Sequence, residues 1–216
     1  MAEVFLNGQA QKVGNIYCIG RNYAAHIEEL NNQTPDEMVV FMKPSGSINS
    51  SGIIRLPAFS REVHHECELV LLIGSDSDGL NRADGWRQRV AGYAVGLDLT
   101  ARDVQSRLKS QALPWLKAKG FKGSACVSEF VAADRIADPQ ACRFALAVNG
   151  RLRQQGDTAL MLHPVDKMLA EIDRLYGLQQ GDLIFSGTPA GVAELKSGDV
   201  LEMTLENLVA ARFEVV

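Results

Sequence analysis

The chain has 216 residues, 46% of them hydrophobic and 22% charged, with a formal net charge of −4. This length and balance suit a single globular domain over 1–216 with a sizeable core. An acidic chain without basic runs argues against a nucleic-acid partner, and no apolar run approaches the roughly 20 residues of a membrane span.

The start, Met1-Ala2-Glu3-Val4-Phe5, lacks the basic and apolar blocks of a secretory signal. Cys18, Cys67, Cys126 and Cys142 are scattered, with no C-x-x-C pair and no histidine at zinc spacing. They read as reduced, mostly buried thiols, and a cytoplasmic location is expected.

Taken in order, Val4–Leu6, the Asn7-Gly8 turn and Lys12-Val13 form an opening hairpin. Ile16–Gly20 is a short strand leading into Arg21-Asn22-Tyr23. Ala24–Leu30 reads as a short helix with His26 and Glu29 on one face. A polar loop over Asn31–Glu37 precedes a strand at Val39–Met42. The stretch to Arg61 is loop around a short strand at Ile53-Ile54. Leu69–Ile73 is a β-branched and aliphatic run closed by Gly74, the pattern of a buried strand. Ser75–Arg82 is a polar turn region. Val90–Leu99 suits a central strand, and Thr100 is placed to N-cap the helix that follows, with Asp103 three residues on. Phe144–Val148, Asn149-Gly150 and Leu152–Gln155 carry a clear hairpin signal. Pro164–Tyr176 has helical spacing of Val165, Met168, Leu169 and Ile172, with Gly177 just beyond. Gly181–Ser186, Val200–Leu205 and Leu208–Val215 complete the strands. Strands outnumber helices, and few are separated by a crossover helix, so the fold class is a β-rich α+β domain.

The chemistry concentrates at strand ends. Glu66 and Glu68 open the strand of Leu69–Ile73 and, two residues apart, point the same way. They are either a solvent-facing edge pair or two ligands of a hard divalent cation. Asp98, near the end of Val90–Leu99, would supply a third carboxylate for Mg²⁺ or Mn²⁺. Three carboxylates on one such ion leave a net −1, which Arg102 or Lys119 would offset while attracting an anionic substrate.

Six segments in order, CIGRNYAAH (18–26), FMKPSGSI (41–48), HHECELVLLIG (64–74), GYAVGLDLTARDVQ (92–105), AKGFKGSA (118–125) and FSGTPAGV (185–192), resemble the fumarylacetoacetate hydrolase family. The likeness is greatest to its short single-domain acylpyruvate hydrolases and oxaloacetate-acting enzymes. It implies a mixed β-sandwich roll, a homodimer, and Glu66, Glu68 and Asp98 as ligands of Mg²⁺ or Mn²⁺. It also implies a His26–Glu29 catalytic dyad on a lid segment, with Lys119 close to the reacting oxygens. Arg102, Gln105 and Lys119 would hold the substrate's carboxylate and keto oxygens. Gly187-Thr188 would line the opposite wall, with Arg21 near the pocket. His64 and His65 are not ligands in the family pattern, and His163 reads as a residue at a helix start.

The expected activity is hydrolytic C–C cleavage of short 2,4-dioxo acids such as acetylpyruvate or fumarylpyruvate, with oxaloacetate decarboxylation or tautomerisation open at the same site. The expected partner is a small anionic 2-oxo acid. Two alternatives stand beside it: a 2-oxo-ene-dioate hydratase or isomerase, and a catalytically weak metal-binding dimer.

Overall fold

The computed structural model describes residues 2–30, 33–76 and 85–216. Asn31 and Asn32 of the expected polar loop, and Ser77–Arg82 of the expected turn region, lie outside the described residues.

Among those residues, an eight-stranded mixed sheet runs Val39–Lys43, Ile16–Gly20, Leu183–Phe185, Cys67–Ile73, Val90–Asp98, Ala125–Val127 and Ile48–Asn49, with Val131–Ala132 paired to Val90–Asp98. A five-stranded sheet, Arg151–Asp157, Arg143–Val148, Val200–Leu205, Val209–Val215 and Ile53–Ile54, packs across one of its faces. Helices are few: Ala24–Glu29, Arg102–Ser110, Leu116–Lys119 and Val165–Tyr176. The fold is the β-rich α+β class that the strand spacing predicts. Both Asn-Gly turns form as expected, with Asn7, Gly8, Asn149 and Gly150 all at positive φ. The four cysteines are free and buried. Among the described residues, no helix is long and apolar enough to cross a membrane.

Cys67–Ile73 is buried at every position because both faces of its sheet are covered. Cys67, Leu69, Leu71 and Ile73 join the core shared with the five-stranded sheet. Val70 and Leu72 join a second core with Ile16, Cys18, Ala94, Phe185 and the opening hairpin's Val4. Strand alternation therefore puts Glu66 and Glu68 on the second-core side, at its open end. In the neighbouring strand Ala94 shares that face, so Asp98 does too. Glu68 pairs with Gly96, and the Asp98 N–H donates to the Glu66 carbonyl at 2.8 Å. The register thus sets Asp98 beside Glu66 and Glu68 one diagonal away.

Two local expectations are corrected. The strand breaks at Glu66: Val63–His65 leaves the large sheet and pairs instead with Thr100–Ala101 and Ala193–Glu194. Thr100 does not cap the helix. Ala101 stands at the helix start without a side-chain cap, and the Thr100 hydroxyl donates to Glu66 Oε1 at 3.0 Å. A buried carboxylate acceptor is a stronger partner than a helix N–H that water or backbone can satisfy.

Gly96, in the middle of the sheet, has no room for a side chain. A Cβ there would lie 2.7 Å from the Cys126 carbonyl oxygen and 2.8 Å from Val70 Cγ2. Gly96→Ala is expected to cost about 2–3 kcal/mol of stability, read by denaturant unfolding. A neutral result would mean that the strand pair yields more easily than its burial implies.

Candidate metal centre and active site

Glu66, Glu68 and Asp98 are 5%, 2% and 1% exposed, and one ligand oxygen from each lies within 4.8 Å of the others. Like charges this close in the interior repel by several kcal/mol, so cations must converge on them. Three do, from three separate segments. Lys119 Nζ, from the short helix, bridges Glu66 Oε2 at 2.7 Å and Asp98 Oδ2 at 2.6 Å. Arg102 Nη2, from the first turn of the preceding helix Arg102–Ser110, meets Glu66 Oε1 at 2.5 Å. Lys43, at the end of Val39–Lys43, is 1% exposed with Nζ 2.6 Å from Asp98 Oδ1. That last contact is ionic only: Asp98 Oδ1 is buried without a hydrogen-bond donor, because Lys43 aims its N–H groups at the Leu99 and Lys119 carbonyls and the Ser124 hydroxyl.

Titration follows this geometry. Burial opposes the ionised form of Glu66, but Lys119, Arg102 and His26 outweigh it and hold the carboxyl well below its ordinary range. Burial likewise opposes the Lys119 ammonium, and Asp98 and Glu66 outweigh that in turn, raising its pKa. Glu68 goes the other way. Burial, then the charges of Asp98 and Glu66, push it well above the carboxylate range, and the Gly187 N–H at 2.7 Å does not compensate. Among the described residues Glu68 has no ion-pair partner. One carboxylate facing two others, together with an orphaned Asp98 Oδ1, fits a hard divalent cation.

His26, Arg21, Gln105 and Thr188 line the same pocket as the three carboxylates, Arg102 and Lys119. His26 is 6% exposed, and burial lowers its pKa, with Arg102 and Lys119 adding to the effect against Glu66. The dyad is loose. His26 Nδ1 stands 3.5 Å from Glu29 Oε2, beyond a good hydrogen bond, while the Glu29 carboxylate accepts from the Gly191 N–H at 3.0 and 3.2 Å. Glu29 is not among the lining residues, and neither is Gly187, whose part is its N–H to Glu68. Gly187 has φ +98, and a Cβ there would lie 2.6 Å from Asn22 Cβ. Arg21, at φ +59, also donates to the Gln33 carbonyl at 3.3 Å.

Arg102 is held three ways: Nη1 donates to Gln105 Oε1 at 2.7 Å, Nε to His64 Nδ1 at 3.4 Å, and Nη2 to Glu66. His64, away from the carboxylates themselves, thus orients their arginine. Lys43 stands out in the sequence as a polar residue at a strand end, but its pairing with Asp98, 55 positions away, was not legible, nor were the pocket walls Leu30, Phe41, Lys109 and Trp115. Gln154 was missed as well. It accepts from Cys67 N–H at 3.0 Å and donates to Thr188 Oγ1 and the Pro189 carbonyl, splinting the strand break at Glu66.

Because burial and the charges of Asp98 and Glu66 favour the protonated form of Glu68, a divalent cation bound there competes with a proton, so affinity should tighten as pH rises. Calorimetry with Mn²⁺ in buffers of different ionisation enthalpy should register the released proton. Glu68→Gln should weaken Mn²⁺ binding at least tenfold. It should also make the melting temperature of the metal-free protein less sensitive to rising pH, because wild type must either ionise Glu68 against Asp98 and Glu66 or hold its proton, and the variant need not. A metal-free variant whose melting temperature falls with pH as steeply as wild type would contradict this account of the repulsion.

The fumarylacetoacetate (FAA) hydrolase C-terminal family model matches residues 15–216. A mitochondrial oxaloacetate tautomerase of Mus musculus is 42% identical over 93% of this chain and 91% of its own length. An oxaloacetate tautomerase of Escherichia coli is 41% identical over 90% of this chain and 89% of its own. The crystal structure of fumarylpyruvate hydrolase from Pseudomonas aeruginosa, in complex with Mn²⁺ and pyruvate, superposes with a TM-score of 0.91 at 31% identity. It covers 99% of this chain and 95% of that one. With nearly the whole chain matched, the protein belongs to the fumarylacetoacetate hydrolase family.

Proposed function

We propose that this protein is a Mg²⁺- or Mn²⁺-dependent enzyme of β-dicarbonyl 2-oxo acids, hydrolysing the C–C bond of short acylpyruvates. One observation carries the reading: a buried imidazole faces a cation-ringed carboxylate triad across one pocket. Glu66, Glu68 and Asp98 would hold the ion, which when bound supplies Lewis-acid stabilisation of negative charge on the 2-oxo oxygen.

The chain's own groups do the rest. Arg102 and Gln105 orient the substrate carboxylate, with Arg21 and Thr188 on the flanking walls. His26, kept neutral by burial, takes a proton from water, and Glu29 steadies the resulting imidazolium. The hydroxide adds to the 4-carbonyl and the C3–C4 bond breaks. The acyl group leaves as a carboxylic acid and pyruvate leaves as its enolate, which takes up a proton to complete the balance. Lys119, raised in pKa and pointed at the triad, faces the oxygen on which that charge develops.

A second reading is oxaloacetate keto–enol tautomerisation, which uses the same enolate and needs no water attack. The oxaloacetate tautomerases of mouse and Escherichia coli, above 40% identity, favour it. Acetylpyruvate, fumarylpyruvate and oxaloacetate assayed side by side, with metal and with chelator, separate the two. Failure to turn over either acylpyruvate would remove hydrolysis, and chelator-resistant turnover would remove the metal.

His26→Ala should lower acylpyruvate kcat/KM by about 10²- to 10³-fold. Unchanged turnover would exclude it as the base. Because burial holds His26 below the ordinary 6.5 and a base works above its pKa, hydrolysis should persist below pH 6.5 and fall only on further acidification. A pH–rate profile already falling at pH 7 would contradict this.

A further inference from the structure

The helix Arg102–Ser110 presents more than the two residues assigned so far. Arg102 and Gln105 are followed on the same face by Lys109, at i, i+3 and i+7, and all three line the pocket. Lys109 lies at the exposed rim. Its Nζ sits 5.2 Å over the Trp115 ring and, among the described residues, has no carboxylate partner. Trp115 in turn meets Phe41 edge-on at 5.9 Å. Phe41, Trp115 and Leu30 thus form an apolar corridor between the carboxylate triad and Lys109.

Charge leans the same way. With all three carboxylates ionised, as a divalent ion would hold them, the lining sets Arg21, Arg102, Lys109 and Lys119 against Glu66, Glu68 and Asp98, one cation in excess. A divalent ion raises the excess to three. A monoanionic acid leaves two of those charges unmet, whereas a dianion leaves one. Desolvation against the wall and the fields of Arg21, Arg102 and Lys119 depress the Lys109 ammonium, as expected of a cation without its counter-ion.

Length selects among dianions. Seven residues of helix separate Lys109 from Arg102, about 10 Å along the axis. The terminal carboxyl carbons of a seven-carbon diacid are six bonds apart, roughly 7–8 Å in extended form, and a hydrogen bond at the end closes the gap. Oxaloacetate spans about half of that and stops short of Lys109.

We infer that Lys109 is a specificity-determining residue that receives the distal carboxylate of a seven-carbon 2-oxo dicarboxylate laid along the Phe41–Trp115 wall. The inference rests on the 2-oxo acid reading above and narrows its substrate to the long, doubly charged class. An unsaturated or dioxo chain is flat and suits the aromatic wall.

Two non-hydrolysable acids of equal length test it: 2-oxoheptanedioate and 2-oxoheptanoate, which differ only in the terminal carboxylate. Binding to the Mn²⁺-loaded protein is measured by calorimetry. Wild type should prefer the diacid by about fivefold, Lys109→Gln should bring the two to parity, and Lys109→Arg should retain the preference. The preference should shrink with added salt. If wild type binds both acids equally, or Lys109→Gln keeps the preference, Lys109 is not the receptor although the 2-oxo acid reading stands. If neither acid binds, both fall.

Discussion

The structure is organised by the cost of placing three carboxylates at the buried end of two adjacent strands. Register alone forces the encounter: Asp98 is tied to Glu66 through the backbone, and Glu68 sits one pair further in, opposite Gly96. In a medium of effective dielectric near 20, two such charges about 4 Å apart repel by about 4 kcal/mol. The fold answers with lysines and an arginine from three separate segments. Lys43 ends an outer strand, Lys119 ends a one-turn helix, and Arg102 begins another. Removing any of these would strand a buried charge, so the triad also dictates how those segments pack. Compensation is uneven. It falls on Glu66 and Asp98 and leaves Glu68 repelled, an asymmetry that prepares the site for a divalent cation.

Behind the charges stands a neutral framework with every polar group used. Gln154 is buried in the five-stranded sheet yet reaches the break at Glu66. Its carbonyl oxygen accepts from Cys67 N–H and lies 2.9 Å from His65 Nδ1, while its amide donates to Thr188 and Pro189. Both lone pairs and both protons are engaged, the condition under which a buried amide rigidifies its surroundings. Asn22 does the same on the other side, donating to the Ser186 carbonyl and accepting from His163 N–H. The strand that carries the glutamates and the Gly187 turn that grips one of them are thus fixed from behind without another charge.

Features written in short-range pattern were legible in the sequence. The two Asn-Gly hairpins, the amphipathic helix Val165–Tyr176 and the apolar strands depend on neighbours within a few residues, and they form as expected. The Glu-x-Glu spacing likewise guarantees a shared face. Features set by pairing between distant segments were not legible. Thr100 has the local credentials of an N-cap, but its segment pairs with Val63 and His64, which delivers its hydroxyl to Glu66. Lys43 looks like any lysine at a strand end until the sheet order places Asp98 beside it. Nothing in the local pattern singles out Lys109, and only the fold of Leu113–Trp115 back over the helix puts an aromatic ring under it.

On the proposed chemistry, the triad does not distinguish hydrolysis from tautomerisation, because both develop the same enolate charge over the same cations. What separates them is whether a water can be held against the second carbonyl, and that depends on the His26 side of the pocket. There the contacts are weakest. The helix bearing His26 spans only Ala24–Glu29, and its carboxylate is shared between the imidazole and the Gly191 N–H. A six-residue helix has little stability of its own and takes its position from what it packs against. A substrate long enough to touch both Leu30 and Lys109 would press on that helix from within the pocket, whereas a four-carbon acid would not reach. On that proposed chemistry the length of the acid, and not the metal platform, would be the variable through which one constellation divides its reactions.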